Sequence, residues 1–187
     1  MVSTQDVLSE TDSRMQKSID SFKRELNSIR TGRASPALVE SLMVDYYGVP
    51  TALNKMASVS VPEARVLMIQ PWDKQVLKDV EKSILKSDLG LVPNNDGNVI
   101  RINIPTLTEE RRRELVRLVG RKTEEGNVAL RNIRRDSLER FREMERAKEL
   151  SKDEVRRAQD QLQELTNAYV ARMDALRQEK EAEVMEV

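Results

Sequence analysis

The chain has 187 residues, 34% of them charged and 3% aromatic, and its 32 Lys and Arg are balanced by 32 Asp and Glu. That length holds one large or two small domains, and so few aromatic rings suit a thin helical bundle better than a thick core. Cysteine and histidine are absent, which excludes disulfides, thiolate nucleophiles, imidazole bases and the usual zinc sites.

The first residues, Met-Val-Ser-Thr-Gln-Asp, are polar and contain no signal-peptide core. No apolar run approaches the ~20 residues of a membrane span. The expectation is a soluble, cytoplasmic chain. Residues 4–30 then read as a helix. Leu8, Met15, Ile19, Phe22, Leu26 and Ile29 recur as the apolar seam of a near-parallel bundle, with Asp12 interrupting one seam position so that the first turns fray. Gly32 and Pro36 break this helix within Arg-Thr-Gly-Arg-Ala-Ser-Pro.

The period then changes to two. Residues 41–47 read as a strand, with Leu42, Val44 and Tyr46 on one face, and Gly48-Val-Pro50 turns the chain. Met56–Val61 and Arg65–Ile69 follow as strands. Asp73 caps a short helix with Leu77, Val80, Ile84 and Leu85 as its apolar stripe, ended by Gly90 as C′ residue. Asn95-Asp-Gly97 marks a turn before a last strand through Ile100, Ile102 and Ile104. Pro105 opens a second long helix, with Thr106 and Glu109 as capping box and Thr108 as the alternative cap. It reaches about Lys148, weakened at Gly120 and Gly126. Ser151 and Glu154 cap a third helix with the seam Val155, Ala158, Leu162, Leu165 and Tyr169.

Such helices need partners for their apolar stripes. The expected fold is α+β with two domains: a three-helix bundle from 1–30 and 106–187, and a small α/β module, 31–105, inserted between helices one and two. The module hangs on two crossings, near Thr31, Gly32 and Pro36 and near Pro105 and Thr106, which read as a hinge.

Little in the chain reads as catalytic. Glu109-Glu110, Glu124-Glu125 and Asp45 sit in strongly charged or alternating stretches and read as surface. No glycine-rich phosphate loop is present. Asn94–Asn98 matches a calcium loop only in composition. Trp72 reads as core or partly exposed filler. Charge, however, is sorted. Between Thr106 and Lys148 there are 13 Lys and Arg against 9 acids, and from Ser151 to Val187 there are 6 against 9. Arg131, Arg134 and Arg135 fall at i, i+3 and i+4, with Arg117 and Arg142 on the same face, while Leu130, Ile133 and Ser137 face a neighbour. A row of planar guanidiniums on a rigid helix suits phosphates. A solvated face paired to nearby Glu is the plainer alternative. A jointed rod of this kind favours docking on a large RNA or protein surface, without cofactor or metal.

Five ordered blocks carry a resemblance: Ile-Arg-Thr-Gly-Arg-Ala-Ser-Pro (29–36), Asp-Tyr-Tyr-Gly (45–48), Ser-Asp-Leu-Gly-Leu (87–91), Leu-Thr-Glu-Glu-Arg-Arg (107–112) and Arg-Asn-Ile-Arg-Arg (131–135). In these the chain resembles the bacterial ribosome recycling factors over essentially its whole length. The resemblance implies an elongated, L-shaped protein with a three-helix bundle and a β/α/β module. It implies binding to the post-termination ribosome, chiefly to large-subunit ribosomal RNA, with elongation factor G and its GTP then separating the subunits. Arg131, Arg134 and Arg135 would be the main RNA contacts, with Arg30 and Arg33 a second basic cluster and Gly32, Pro36 and Pro105 in the hinge. The expected state is a monomer that catalyses nothing itself. The alternative is a non-catalytic coiled-coil scaffold for protein partners.

Overall fold

The computed structural model describes residues 2–186. The chain divides into two compact units, Met1–Thr31 with Thr108–Val187, and Gly32–Leu107.

The first unit is a bundle of three helices: α1 (Thr4–Asn27), α3 (Glu109–Arg146) and α4 (Lys152–Met185), each packed on both others. α1 stops at Asn27, short of the expected residue 30, and its first turns are tied down. The Ser3 hydroxyl accepts from the Asp6 backbone N–H, and the Asp6 carboxylate accepts from Ser3 N–H at 2.8 Å. The seam position after Leu8 belongs to buried Thr11, and Asp12 lies exposed beside it. α3 begins two residues later than Thr106 would allow. Thr108 is its cap, and Pro105 and Thr106 lie outside the helix. The Ser151–Glu154 capping box opens α4.

The bundle core falls into two clusters. Met15, Ile19, Phe22, Leu26, Leu130, Ile133, Tyr169 and Met173 belong to one. Val7, Leu8, Phe141, Val155 and Leu162 belong to the other. In sequence, one buried hydroxyl per helix stands between the two sets: Thr11, Ser137 and Thr166. Thr11 Oγ1 lies 2.7 Å from Ser137 Oγ, so one of these two hydroxyls donates to the other, which in turn donates to the carbonyl four residues back, and Thr166 Oγ1 donates to Leu162 O. Every polar atom of this layer is therefore satisfied, which lets it set the register of α1 against α3 with little desolvation cost. Gly126 is a contact point in the same bundle. A β carbon there would stand 2.8 Å from Met173 Cε.

The second unit holds a hairpin of β1 (Met43–Tyr46) and β2 (Val49–Ala52), and an antiparallel sheet ordered β3 (Ala57–Glu63), β4 (Val66–Pro71), β6 (Ile100–Asn103), β5 (Pro93–Asn95). Helix α2 (Leu77–Lys86) packs on β1 and β5. Leu67 pairs with Ile102 and Ile69 with Ile100, all fully buried. With Val44, Leu53, Val80 and Ile84 they form one core, each large side chain contributing about 1.5–3 kcal/mol.

Several expectations need correction here. Val49–Ala52 is a strand that takes in two residues of the expected Gly48–Pro50 turn, and Pro93–Asn95 is a strand that runs into the expected Asn95–Gly97 turn. Asp73 caps a short 3-10 turn, Lys74–Val76, that leads into α2. Leu85 is 60% exposed and outside the apolar stripe. The cap of α2 is Ser87, so Gly90, although at φ +65°, lies beyond the helix end. Of the two readings of Trp72, core or exposed, the structure shows the exposed one, at 69%.

Candidate nucleic-acid interface

α3 is 38 residues long, about 57 Å at 1.5 Å per residue. Leu115, Val119, Leu130, Ile133, Phe141 and Met144 bury one side of it. Burial of that side fixes the rotation of the helix, and the arginines follow on the other. Arg117, Arg131, Arg135 and Arg142 are exposed, and Arg134 is half-buried.

Their partners are weak and exchangeable. Arg131 Nη2 lies 2.6 Å from the Glu124 carboxylate, with both side chains more than half exposed. Arg142 reaches Glu139 only at 3.6 Å. Arg135 donates to Asn132 Oδ1 at 3.0 Å, and Arg134 donates through Nε to Gln163 Oε1 on α4 at 3.0 Å. Arg117 has no protein partner among the described residues. Exposed ion pairs of this kind contribute about 0–1 kcal/mol to stability, so a phosphate can displace the carboxylates at small cost. The plainer alternative of a Glu-paired face thus holds for Arg131 and Arg142, without excluding the other use. A concave place on the first turns of α3 is lined by Glu109, Glu110, Arg113, Glu114 and Arg117.

Elsewhere the bundle's charges tie helix to helix. Arg14 bonds Asp136 at 3.0 Å, and Arg140 bonds Glu10. The Tyr169 hydroxyl donates to the Asp12 carboxylate, and burial together with that bond pushes its pKa up to about 12.

Arg30 and Arg33 are both exposed, but they fall in different units, Arg30 in the bundle and Arg33 in the module. Thr31 is buried, and its hydroxyl donates at 2.8 Å to Glu183 near the end of α4. It is anchored in the bundle, contrary to a hinge role. Gly32 follows at φ +74°, where a β carbon would also meet Leu107 Cγ at 3.3 Å. Pro36 lies inside the module, at the start of a 3-10 turn, Pro36–Leu38. Pro105 and Thr106 are exposed in the second crossing. The Asn-rich turn consumes its own acceptors: Asp96 accepts from Asn98 and Val99 N–H at 2.9 Å, which lowers its pKa.

Residues 22–185 match the family model described as "Ribosome recycling factor". The chain belongs to the ribosome recycling factor family. A ribosome-recycling factor of Geobacillus sp. (strain WCH70) is 54% identical, covering 98% of this chain and 99% of its own. One from Dehalococcoides mccartyi (strain CBDB1) is 49% identical over 97% and 98%. Among solved structures, a solution structure of the ribosome recycling factor matches with TM-score 0.78 and 42% identity over the whole of both chains. A second match has TM-score 0.67 and 45% identity, covering 98% of this chain and 100% of that one. That structure holds models for the T. thermophilus ribosome recycling factor and the E. coli elongation factor G bound to the E. coli post-termination complex. The fold is that of the family, and ribosome recycling is the chain's function. The family is one of translation factors, and nothing favours the coiled-coil scaffold. No helix among the described residues is long and apolar enough to cross a membrane.

Proposed function

We propose that the chain works as a mechanical, non-catalytic factor in the cytoplasm, as a monomer without cofactor. The arginines of α3 hold phosphates of large-subunit ribosomal RNA in the post-termination ribosome. Elongation factor G with its GTP then acts on the bound protein, and the subunits separate. The observation that carries the reading is the row Arg131, Arg134 and Arg135, displayed on a helix whose opposite side is core. Support for the partners comes from the related structure of a ribosome recycling factor and elongation factor G bound to the post-termination complex. Arg30, Arg33, Arg117 and Arg142 extend the contact, and the crossings at Gly32 and at Pro105–Leu107 form the hinge.

Binding of this kind releases counterions, so affinity falls with salt. Arg134→Ala weakens co-sedimentation with large ribosomal subunits by roughly 1.5–3 kcal/mol, the range for a charge-assisted bond. Its thermal midpoint stays nearly unchanged. Unchanged affinity across a salt series, in a variant that is folded, sinks the assignment.

A further inference from the structure

Arg131, Arg134 and Arg135 are close neighbours on α3, yet their guanidiniums are held differently. Arg131 and Arg135 each give away a terminal nitrogen, to Glu124 and to Asn132 on their own helix. Arg134 donates through Nε instead, to Gln163 Oε1 on α4 at 3.0 Å. Gln163 in turn donates its amide N–H to Asn167 Oδ1 at 2.8 Å. The second bond sets the first. With its nitrogen committed to Asn167, the Gln163 amide turns its oxygen toward Arg134. Both terminal nitrogens of Arg134 donate to no group among the described residues.

A guanidinium is a rigid planar fork of five donors. Holding it at Nε from a second helix restricts the last torsions of the side chain. The outer edge, with its two terminal nitrogens, stays open for a pair of phosphate oxygens. An arginine ordered beforehand loses less conformational freedom on binding. Arg134 is also half-buried, so its stem is already laid along the bundle. Arg131, by contrast, exchanges a carboxylate for a phosphate when it docks.

We infer that Gln163, backed by Asn167, is a positioning residue for the phosphate contact of Arg134: α4 presets the guanidinium that α3 supplies. The ligand class is the non-bridging oxygen pair of a nucleic-acid phosphodiester. The inference rests on the reading of the α3 arginines as ribosomal RNA contacts.

The test uses the full chain and co-sedimentation with large ribosomal subunits over a salt series. Gln163→Met keeps the length and loses the acceptor. It weakens binding about threefold to tenfold, the range of one net hydrogen bond. The slope of log affinity against log salt stays as in the parent, because no phosphate-neutralising charge is lost, whereas Arg134→Ala lowers that slope by about one. In an Arg134→Ala background Gln163→Met has no further effect, as expected of residues acting through one another. Asn167→Ala, which frees the Gln163 amide to turn, gives a smaller loss that is equally silent in that background. Circular dichroism and thermal midpoints match the parent for each variant. An equal loss with or without Arg134 overturns the inference, since Gln163 then acts on RNA or on the fold by itself. Full affinity in Gln163→Met beside a weakened Arg134→Ala overturns it too, and leaves the arginine reading standing. Full affinity in Arg134→Ala removes both.

Discussion

The surroundings of Tyr47 and Tyr169 act on their phenols. Burial, then the bond to Asp12, pushes Tyr169 up to about 12, while Tyr47 reaches about 12 chiefly through its bond to Asp73. The same bond, with the Gln75 N–H, holds the Asp73 carboxyl below its ordinary value. In a spectrophotometric titration both phenols stay protonated past pH 10, and Tyr47→Phe and Tyr169→Phe each remove one late proton. Stability follows the phenol's sign. Unfolded Tyr169 ionises near its ordinary 10.0, so its contribution is complete below that pH and is lost as pH rises toward about 12. The alkaline decline should be flatter in Tyr169→Phe. For Asp73 the window is acidic: its contribution is present above the ordinary carboxylate range and lost as pH falls. A Tyr169 that ionises at its ordinary value would show that the bond to Asp12 does not form in solution.

At the scale of the element, two glycines of α3 that look alike in sequence part company. Gly120 faces open space, and Gly126 faces the buried tip of Met173. Gly120→Ala should stabilise by about 1 kcal/mol through helix propensity. Gly126→Ala gains the same propensity but must displace Met173 from a filled core, an overpacking cost of about 1–3 kcal/mol. Denaturant midpoints decide it, and equal stabilisation by both would refute the close approach. The long helices were legible because a 3.6-residue period written over many turns averages out local noise. β2 and β5 were not. Each is at most four residues, carries a proline and pairs along one side only. Their conformation comes from the partner strand and not from a local pattern. The choice of Thr11 over Asp12 was equally hidden, since three or four steps from Leu8 fit a helix equally well, and Ser137 on another helix decides. At the proposed interface, the spacing of Arg131, Arg134 and Arg135 is legible in the sequence. Gln163 could not, because an exposed amide 29 positions away from Arg134 leaves no periodic trace.

For the molecule as a whole, the two units each close their own core, and the chain passes between them only at residues 31–32 and 107–108. The bundle side of the first crossing is fixed by the bond from Thr31 to Glu183. The freedom expected of a hinge therefore begins at Gly32, whose positive φ makes a side chain there cost about 1–2 kcal/mol. A reversible cross-link between bundle and module should leave binding to large subunits intact while strongly slowing subunit splitting by elongation factor G. Oxidised and reduced forms compared in one splitting assay check this. Equal rates, with the cross-link verified, would mean that the protein acts as a rigid body.

The exposed indole of Trp72 has a practical side. It is the one tryptophan in the chain, and it lies in Gly32–Leu107. Its emission is an optical signal from that unit alone, while far-ultraviolet ellipticity comes overwhelmingly from α1, α3 and α4. The unmodified polypeptide thus carries two separate spectroscopic channels, one for each of its units. Melting it once while recording both shows whether the two halves come apart together or in turn.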